Sequence, residues 1–331
     1  MFAVDGGGSK TDAALLREDG MLLGFARGPL SQPDIIGVEA SVKAVDALAA
    51  EVGAPADLGV LLIAGVDFAD EEEAYKQEAE RHGWATECVV GNDTYAVLRA
   101  GTDRGWGVAV TCGSGMNCVA VGADGREVRF PALGAVSGDV MDGAGAIGLA
   151  AVSAAARSQD GRGPHTALEQ LVPAYFGLEN PTALARAFVS GAISQRRVGE
   201  LTPLVFETAE SDAVARDLVD RQAAEVVAYV RAAVNRLDLA GQEVEVVLGG
   251  GVLQSGNRRL LAGIEMGLRE VEPQLVVRVA SSRPIVGAVL LGLDRISALP
   301  EAYIRAREEL DRATESLGHV AGNAASVAEL P

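Results

Sequence analysis

The sequence is poor in cysteine, histidine and positive charge, and these shortages exclude several classes of protein. Its three cysteines, Cys88, Cys112 and Cys118, form no C-x-x-C pair, which argues against a structural zinc site and predicts a reducing compartment. The three histidines share no motif spacing, so we assign them no role. A net charge of −18 is opposite to the basic surface that a general nucleic-acid binder needs, so no nucleic-acid partner is expected.

The sequence also lacks long apolar runs. None reaches the length of a membrane-spanning helix, and the N-terminus shows no charged leader followed by a long apolar core. We therefore expect a cytoplasmic protein with no membrane partner. With 331 residues, of which 49% are apolar, the chain is long enough for two domains that each bury a sizeable core.

Glycine is abundant, and its most informative cluster lies in the first twelve residues. The stretch FAVDGGGSKTD runs from an apolar strand through three glycines towards a second apolar segment, which predicts a hairpin. Its backbone N–H groups, flanked by Ser9, Lys10 and Thr11, suit a phosphate group. Asp5 ends the first strand, where a carboxylate can hold a hydrated Mg²⁺ beside that phosphate. The alternative is an ordinary tight turn, with Lys10 paired to Asp12 on the surface.

Two further glycine turns follow apolar strands. They are Gly113-Ser114-Gly115 and Gly249-Gly250-Gly251. We expect the first and second turns of the chain to clamp a polyphosphate from both sides. The third turn has no side chains, so it can approach a flat adenosine closely.

One order of predicted elements occurs twice along the chain. This order is three strands, a helix, a strand, a helix, a strand and a helix. It is predicted over residues 1–104 and again, with a helical insert, over residues 105–300. Two such βββαβαβα units predict two α/β domains with a ligand cleft between them. The third strand of the second unit is predicted over 127–132, and the last helix before residue 300 can pack on the first domain. Residues 301–331 are predicted to start as a charged helix and end as a frayed tail.

Two aspartates are candidates for the chemistry. Asp93 follows a strand and begins a helix, whose N-terminus favours an ionised carboxylate, so it would be ready as a base at neutral pH. From the spacing alone, the commoner role for Asp93 or Asn92 is to cap that helix. Asp139 stands in the sequence SGD, and the alternative role for Asp139 or Asp142 is to cap the helix that follows.

Five segments together resemble a known family. They read DGGGSKTDA, GNDTYAVLRAG, TCGSGMNCVAVGADG, ALGAVSGD and LGGGVLQSGN. Over about the first 295 residues the chain resembles the N-acetylglucosamine kinase family, of the BadF/BadG/BcrA/BcrD-type ATPase group, in the actin/sugar-kinase/heat-shock-protein ATPase superfamily. The resemblance implies two actin-like (ribonuclease H-like) domains with an interdomain nucleotide and sugar cleft. It also implies ATP and Mg²⁺ as cofactors, and a homodimer.

The resemblance implies roles for individual residues, which add to those argued from the turns. Asp93 carries over as the catalytic base, Asp139 as the carboxylate that holds sugar hydroxyls, and Asp5 remains the predicted metal ligand. The predicted nucleotide contacts are the residues of the three turns, namely Gly7, Gly8, Ser9, Lys10, Thr11, Gly113, Ser114, Gly115, Gly249, Gly250 and Gly251. The predicted sugar contacts are Gln32, Asn92, Asp93, Leu133, Gly134 and Asp139.

The sequence departs from this family in the expected acceptor pocket. Many members carry Gly-Gly-Trp-Gly where this chain has Pro131-Ala132-Leu133-Gly134, and an asparagine where it has Gln32. The acidic continuation after the G-D motif is replaced by Val140-Met141. The nucleotide turns are intact, so ATP is better supported than any one acceptor. N-acetylglucosamine is the default, and glucosamine, another amino sugar or a cyclitol is compatible.

The favoured function is an ATP-dependent sugar kinase. It would transfer the γ-phosphate of ATP to a hydroxyl, by default the 6-OH, of N-acetylglucosamine or a related amino sugar, with Asp93 as the general base. One alternative is an ATPase like the activators of 2-hydroxyacyl-CoA dehydratases, which bind an iron–sulfur cluster, although Cys112 and Cys118 are poorly placed for that. The other is a non-catalytic nucleotide or sugar sensor, against which the presence of Asp93 argues.

Overall fold

The computed structural model describes residues 1–327, and the side chains of residues 1–315. The chain forms two compact units: Met1–Gly105 together with the chain from Ala280 onward, and Trp106–Val279. Each unit contains one five-stranded sheet, which confirms the predicted α/β class. Within the described residues, no helix is both long enough and apolar enough to cross a membrane.

Strands and helices follow one another in nearly the predicted order. The strands are β1 (Phe2–Gly6), β2 (Thr11–Leu16), β3 (Leu22–Gly28), β4 (Ala56–Ile63), β5 (Ala85–Gly91), β6 (Gly107–Cys112), β7 (Met116–Val121), β8 (Glu127–Arg129), β9 (Val244–Gly249) and β10 (Leu275–Val279). The helices are α1 (Pro33–Ile36), α2 (Val38–Val52), α3 (Ala69–His82), α4 (Thr94–Gly101), α5 (Ala144–Gln159), α6 (Leu168–Tyr175), α7 (Pro181–Val189), α8 (Thr202–Thr208), α9 (Ala213–Arg236), α10 (Arg258–Val271), α11 (Pro284–Arg295) and α12 (Pro300–Val327).

The two sheets share one connectivity. The strand order is β3-β2-β1-β4-β5 in the first unit and β8-β7-β6-β9-β10 in the second. In each sheet the first three strands pair antiparallel and the last two join in parallel. The duplicated βββαβαβα topology is therefore as predicted, and the glycine turn after β1 is the loop of an antiparallel hairpin.

The central strand of the first unit is buried on both faces. Phe2 and Val4 pack in one core with Val45 of α2, whereas Ala3 packs in the opposite core with Val289 of α11. Successive side chains of a strand point to opposite faces, so a strand covered by helices on both sides has to be apolar throughout. This requirement explains why the apolar run in the sequence is unbroken until Asp5.

The boundary of the second unit differs from the expected one at residue 300. That unit ends at Val279, because α11 contacts β1, β4 and α4 of the first unit. The helix carries buried apolar residues over most of its circumference, including Ile285, Val289 and Leu293. A helix that is apolar all round has to be buried, and the first unit supplies the core that buries α11.

The last helix, α12, begins at Pro300 and extends through Val327, along the segment predicted to start as a charged helix. Ala302, Ala306 and Leu310 are buried in the first unit at intervals of four residues. Because that spacing forms one stripe on a helix, packing holds the first part of α12 in place. The final residues of the predicted tail, 328–331, lie outside the described residues.

The second unit packs its sheet against the long helix α9. Val226 and Val230 of this helix share a core with Val110 of β6 and Leu248 of β9. The predicted strand over 127–132 is shorter, since β8 ends at Arg129. Proline cannot donate a ladder hydrogen bond, and Pro131 therefore limits the pairing of this strand.

Candidate functional site

The first glycine turn, in the loop between β1 and β2, is closed by a hydrogen bond from the Gly7 backbone N–H to the Lys10 carbonyl at 2.9 Å. A Cβ at position 8 would meet Oε1 of Gln32, at the far end of a flexible side chain that can move aside. Ser9 lies exposed at the tip of the turn. The predicted sugar contact Gln32 therefore lies beside this turn, and its amide donates to Asp34 at 3.1 Å.

Two side chains of this turn are directed into the protein. The buried Thr11 hydroxyl donates to Oγ of Ser31 at 2.8 Å. Lys10 forms an ion pair with Asp12, whose side chain is fully buried. Arg27 also donates to Asp12, from Nη2 at 2.8 Å. The Lys10–Asp12 pair of the alternative interpretation is thus present, with a partly exposed lysine and a buried carboxylate that is shared with a second cation.

The charge of Asp12 is maintained by these partners. Burial by itself would raise the pKa of Asp12, but the hydrogen bonds from Arg27 and Lys10 lower it overall. Sequence reasoning missed Arg27. The signal was present, since Asp12 and Arg27 are direct cross-strand neighbours on β2 and β3.

Asp93 lies close enough to two other carboxyl groups of the first unit, those of Asp5 and Asp67, to be repelled by both. Asp5 ends β1 and is 8% exposed, Asp67 follows β4, and Asp93 precedes α4. Burial raises the pKa of Asp5 to about 7, although Lys10 lowers it in part. Burial, and then the charges of Asp5 and Asp67, raise the pKa of Asp93 to about 8.

These pKa values differ from the expectation that Asp93 is ionised at neutral pH. The helix N-terminus does favour the carboxylate, and the backbone N–H groups of Asp93 and Thr94 lower its pKa. Burial and two neighbouring carboxylates outweigh that effect. The protein without ligand therefore holds Asp93 mostly protonated at pH 7.

The side chain of Asn92 supplies the capping hydrogen bond at the start of α4, whereas Asp93, at the N-cap position, makes no side-chain cap hydrogen bond. Oδ1 of Asn92 accepts the N–H of Thr94 at 2.8 Å, and its Nδ2 donates to Oδ1 of Asp67 at 2.7 Å. Both ends of the Asn92 amide are thus used, and the residue is 2% exposed. Asn92, a predicted sugar contact, is therefore placed to fix the backbone that carries Asp93.

The carboxylates of this cluster fit a magnesium ion. Mg²⁺ binds through one or two carboxylates and keeps several water ligands. A divalent cation would relieve the repulsion by Asp5 and Asp67 that contributes, after burial, to the raised pKa of Asp93. Among the described side chains, no group of three or more His, Cys, Asp or Glu residues that could hold a metal ion is present.

The second glycine turn is fixed to the N-terminus of α5. Gly113 closes the turn by donating to the Gly115 carbonyl at 2.8 Å. The first N–H groups of α5 then donate to the turn: Ala144 to the Gly113 carbonyl at 2.9 Å and Gly145 to the Ser114 carbonyl at 3.1 Å. These bonds satisfy helix N–H groups that would otherwise lack a partner. Ser114 remains exposed at the tip.

The third turn lies against the second within the same unit. Gly250 adopts a positive φ of 83°, and a Cβ there would collide with the Cys112 backbone. Val252 donates to the Cys112 carbonyl at 3.0 Å. The structure therefore brings Gly113-Ser114-Gly115 and Gly249-Gly250-Gly251 together, as the sequence had suggested only by their shared position after strands.

Asp139, the carboxylate predicted to hold sugar hydroxyls, lies in a loop whose residues form hydrogen bonds with one another. Ser137 Oγ donates to Asp139 Oδ2 at 2.7 Å and accepts the Leu133 N–H at 2.8 Å. Gly134 lies beside Asp142, whose pKa is raised by burial and then by the charge of Asp139. The residue at the cap position of α5 is Gly143, so the structure gives the capping position to neither aspartate.

A cavity of about 970 Å³ adjoins this loop in the second unit. Asp139, Asp142 and Ser114 lie at its walls, together with residues of α5 and α9. Its size is in the range of pockets that enclose small organic ligands. The predicted acceptor carboxylate and the second glycine turn thus line one space.

Comparison with protein families decides the family of the chain. The sequence pattern of the BadF/BadG/BcrA/BcrD ATPase family matches residues 3–292. The chain belongs to this ATPase family. The predicted resemblance is therefore confirmed, and family membership supports the predicted use of ATP.

This member of the family is similar to proteins described as sugar kinases. An N-acetylmuramic acid/N-acetylglucosamine kinase of Clostridium acetobutylicum is 25% identical, over 78% of this chain and 86% of the relative. An N-acetyl-D-glucosamine kinase of Dictyostelium discoideum is 22% identical, over 88% of this chain and 97% of the relative.

Solved structures confirm the fold of this family member. A protein from Chromobacterium violaceum, proposed to be an N-acetylglucosamine kinase, is 25% identical and matches 88% of this chain and 97% of its own, with a TM-score of 0.68. A ROK family glucokinase from Streptomyces griseus, solved with glucose and AMPPNP, is 20% identical. It covers 88% of this chain and 98% of its own, with a TM-score of 0.57. The predicted two-domain actin-like fold is thereby confirmed.

The cysteines of this family member are buried free thiols. Burial raises the pKa of Cys112 and of Cys118 far above the ordinary thiol value. Both residues belong to the hydrophobic core of the second unit, which favours the interpretation of Cys112 and Cys118 as small core residues.

Proposed function

We propose that this protein is an ATP-dependent carbohydrate kinase that phosphorylates an amino sugar. The proposed acceptor is N-acetylglucosamine or a related amino sugar, and the proposed site of transfer is its 6-OH. The observation that carries the proposal is the placement of Asp93. Asn92 takes over the capping of α4, and Asp93 is left in a buried cluster with Asp5, the residue that leads into the first glycine turn.

Asp93 is proposed to act as the general base. The acceptor hydroxyl oxygen forms a bond to the γ-phosphorus, the bond from that phosphorus to the β–γ bridging oxygen breaks, and ADP leaves. The hydroxyl proton passes to the carboxylate of Asp93. A raised pKa suits this role, because an efficient base has a pKa near the working pH.

The three glycine turns are proposed to hold the nucleotide. Backbone N–H groups and Ser9 of the first turn, and Ser114 of the second, would donate to phosphate oxygens. Lys10 and Arg27 balance the charge of the buried Asp12 and, by their proximity, that of Asp5 when it is ionised. Gly249, Gly250 and Gly251 would lie against the adenosine.

Asp5 is proposed to hold Mg²⁺, with Asp93 and Asp67 nearby. The ion would supply positive charge that neutralises the phosphates during transfer. In this arrangement Asp5 holds the ion through its carboxylate, while Lys10 and Arg27 limit the rise in its pKa.

Asp139 is proposed to orient the acceptor by accepting hydrogen bonds from sugar hydroxyls. Leu133, Gly134 and Gln32 are the other proposed sugar contacts, besides Asn92 and Asp93. A homodimer and a cytoplasmic location are also proposed. The dimer is tested by light scattering of the purified protein, where the mass of a single chain would contradict it.

The pH dependence of the reaction tests Asp93 as base. Only the ionised carboxylate accepts a proton, and its pKa is about 8 in the protein without ligand. We expect kcat/KM for the sugar to rise tenfold per pH unit below that value and to level off above it. Raising the Mg²⁺ concentration should shift the midpoint to lower pH. A profile that is flat between pH 6 and pH 9 would contradict this role.

The function itself is tested by ATP consumption with Mg²⁺ against a panel of acceptors. The panel contains glucose, glucosamine, N-acetylglucosamine, N-acetylmuramic acid and cyclitols. We expect one amino sugar to stimulate ADP release far above the rate without acceptor. If ATP binds and none of these compounds stimulates ADP release, the kinase proposal fails.

A further inference from the structure

Tyr229 contacts the proposed acceptor carboxylate from a distant part of the chain. The tyrosine lies on α9, and its hydroxyl donates to Oδ1 of Asp139, 90 residues away in the sequence. Tyr229 is only 6% exposed. Its ring packs edge-on against Phe130, with 4.8 Å between the ring centroids. The hydroxyl is therefore held at a fixed place by a packed aromatic pair.

A second bond ties the same loop to the same helix. Glu225 precedes Tyr229 by one helical turn, and its carboxylate accepts the Val140 N–H at 3.0 Å. Residues four apart lie on one face of a helix. Two successive residues of the loop, Asp139 and Val140, are thus attached to two successive positions on one face of α9.

Both oxygens of Asp139 receive a hydrogen bond from the protein. Tyr229 donates to Oδ1, and Ser137 donates to Oδ2 at 2.7 Å. Each carboxylate oxygen can accept a further bond, and Asp139 lies at the wall of the 970 Å³ cavity. The carboxylate is therefore fixed in its rotation and still able to accept from a ligand.

The direction of the Tyr229 bond is determined by its surroundings. Burial, followed by the hydrogen bond and charge of Asp139, raises the pKa of Tyr229 well above the ordinary phenol value. The phenol keeps its proton throughout the working pH range, so it donates and Asp139 accepts.

We propose that Tyr229 is a positioning residue for the acceptor sugar, because its hydroxyl, with that of Ser137, holds Asp139 in the orientation that binds sugar hydroxyls. This inference rests on the proposed function. Tyr229 itself touches neither substrate nor nucleotide in this role. A simpler role in the core of α9 would require the ring of Tyr229 but not its hydroxyl.

Replacement of Tyr229 by phenylalanine separates these two roles. Y229F keeps the ring and its contact with Phe130 and removes only the donor to Asp139. We expect the KM for the sugar to rise about tenfold, since a hydrogen bond to a charged group is lost. The KM for ATP and the melting temperature should stay near the wild-type values. In Y229F combined with Asp139→Asn, the sugar KM should be no higher than with Asp139→Asn alone.

Tyr175 provides a matched control. It is 46% exposed, and its hydroxyl makes only a long contact of 3.5 Å with Glu200. Tyr175→Phe should leave both KM values and the melting temperature unchanged. Should Y229F fail to fold, Ser137→Ala gives the same readout from the exposed side of Asp139, with a raised KM for the sugar alone.

The outcomes separate failure of this inference from failure of the proposed function. Wild-type protein that phosphorylates an amino sugar, with an unchanged sugar KM in Y229F, would overturn the positioning role only. If Y229F lowers the melting temperature and raises the KM for both the sugar and ATP, Tyr229 has a structural role in the core. That result would also overturn the positioning role. Wild-type protein that phosphorylates no sugar would overturn the proposed function, and the inference with it.

Discussion

Replacement of Asp93 by asparagine should lower kcat by about 10²–10⁴-fold, because the variant loses the group that accepts the hydroxyl proton. Asparagine has nearly the same shape, and the nucleotide turns are unchanged, so the Kd for ATP should stay close to the wild-type value. The measurements are steady-state kinetics with the best acceptor and calorimetric titration with ATP. Asp103→Asn is the matched control, since this aspartate of the same unit has a side chain that is 94% exposed. Activity above a tenth of the wild-type level would exclude Asp93 as the base.

The same substitution should stabilise the protein at alkaline pH. The folded pKa of Asp93, about 8, is above the ordinary aspartate value of 3.8. The unfolded chain therefore loses its proton first, and the free energy of unfolding falls as pH rises from about 4 to about 8. Asparagine removes this contribution to the pH dependence. We expect the melting temperature of D93N to exceed that of the wild type by several degrees at pH 9, with a much smaller difference near pH 4. An equal difference at both pH values would contradict the raised pKa.

Replacement of Gly113 by valine should weaken ATP binding about ten- to a hundredfold, because a branched side chain would prevent phosphate oxygens from approaching the turn. The substitution is a clean test, since a Cβ at Gly113 meets no atom within 4 Å. The fold should therefore tolerate it, and the melting temperature without nucleotide should be unchanged. Gly113→Ala should weaken ATP binding less than Gly113→Val, because the side chain of alanine is smaller.

Gly250→Ala provides the contrasting case in the neighbouring turn. A Cβ at Gly250 would collide with the Cys112 backbone, and its φ is positive. This variant should lower the melting temperature, whatever the ligand.

An ATP Kd that is unchanged in Gly113→Val would remove the second turn from the nucleotide site.

The alternation and order of the elements were predictable because they depend on local features. Apolar runs that end in glycine, such as β1 and β9, identify central strands from composition alone. The domain boundary was set at residue 300, with packing of the last helix on the first domain left as an option. Which unit buries α11 depends on contacts with β1 and α4, and the apolar pattern of a fully buried helix does not say what surrounds it.

The sequence predicted which residues of the candidate site carry chemistry. It did not predict their hydrogen-bond partners or their protonation. The sequence left open that Asp93 or Asn92 only caps α4, and the hydrogen bonds of Asn92 to Thr94 and Asp67 are visible only in the structure. The sequence predicted an Asp93 that is ionised at neutral pH, whereas the pKa of Asp93 in the structure is about 8. The helix N-terminus is visible in the sequence, whereas burial and the charge of Asp5, 88 positions earlier, are not.

The sequence by itself determined the duplicated topology, the three glycine turns and the family, because hydrophobic periodicity and turn chemistry act over a few neighbouring residues. Only the tertiary structure decided which groups stand together: the pairing of Lys10 with a buried Asp12, the cluster around Asp93, and the bond from Tyr229 to Asp139. The physical reason is that charge, burial and hydrogen bonding act through space. The residues that set them are separated along the chain by distances that no local pattern records.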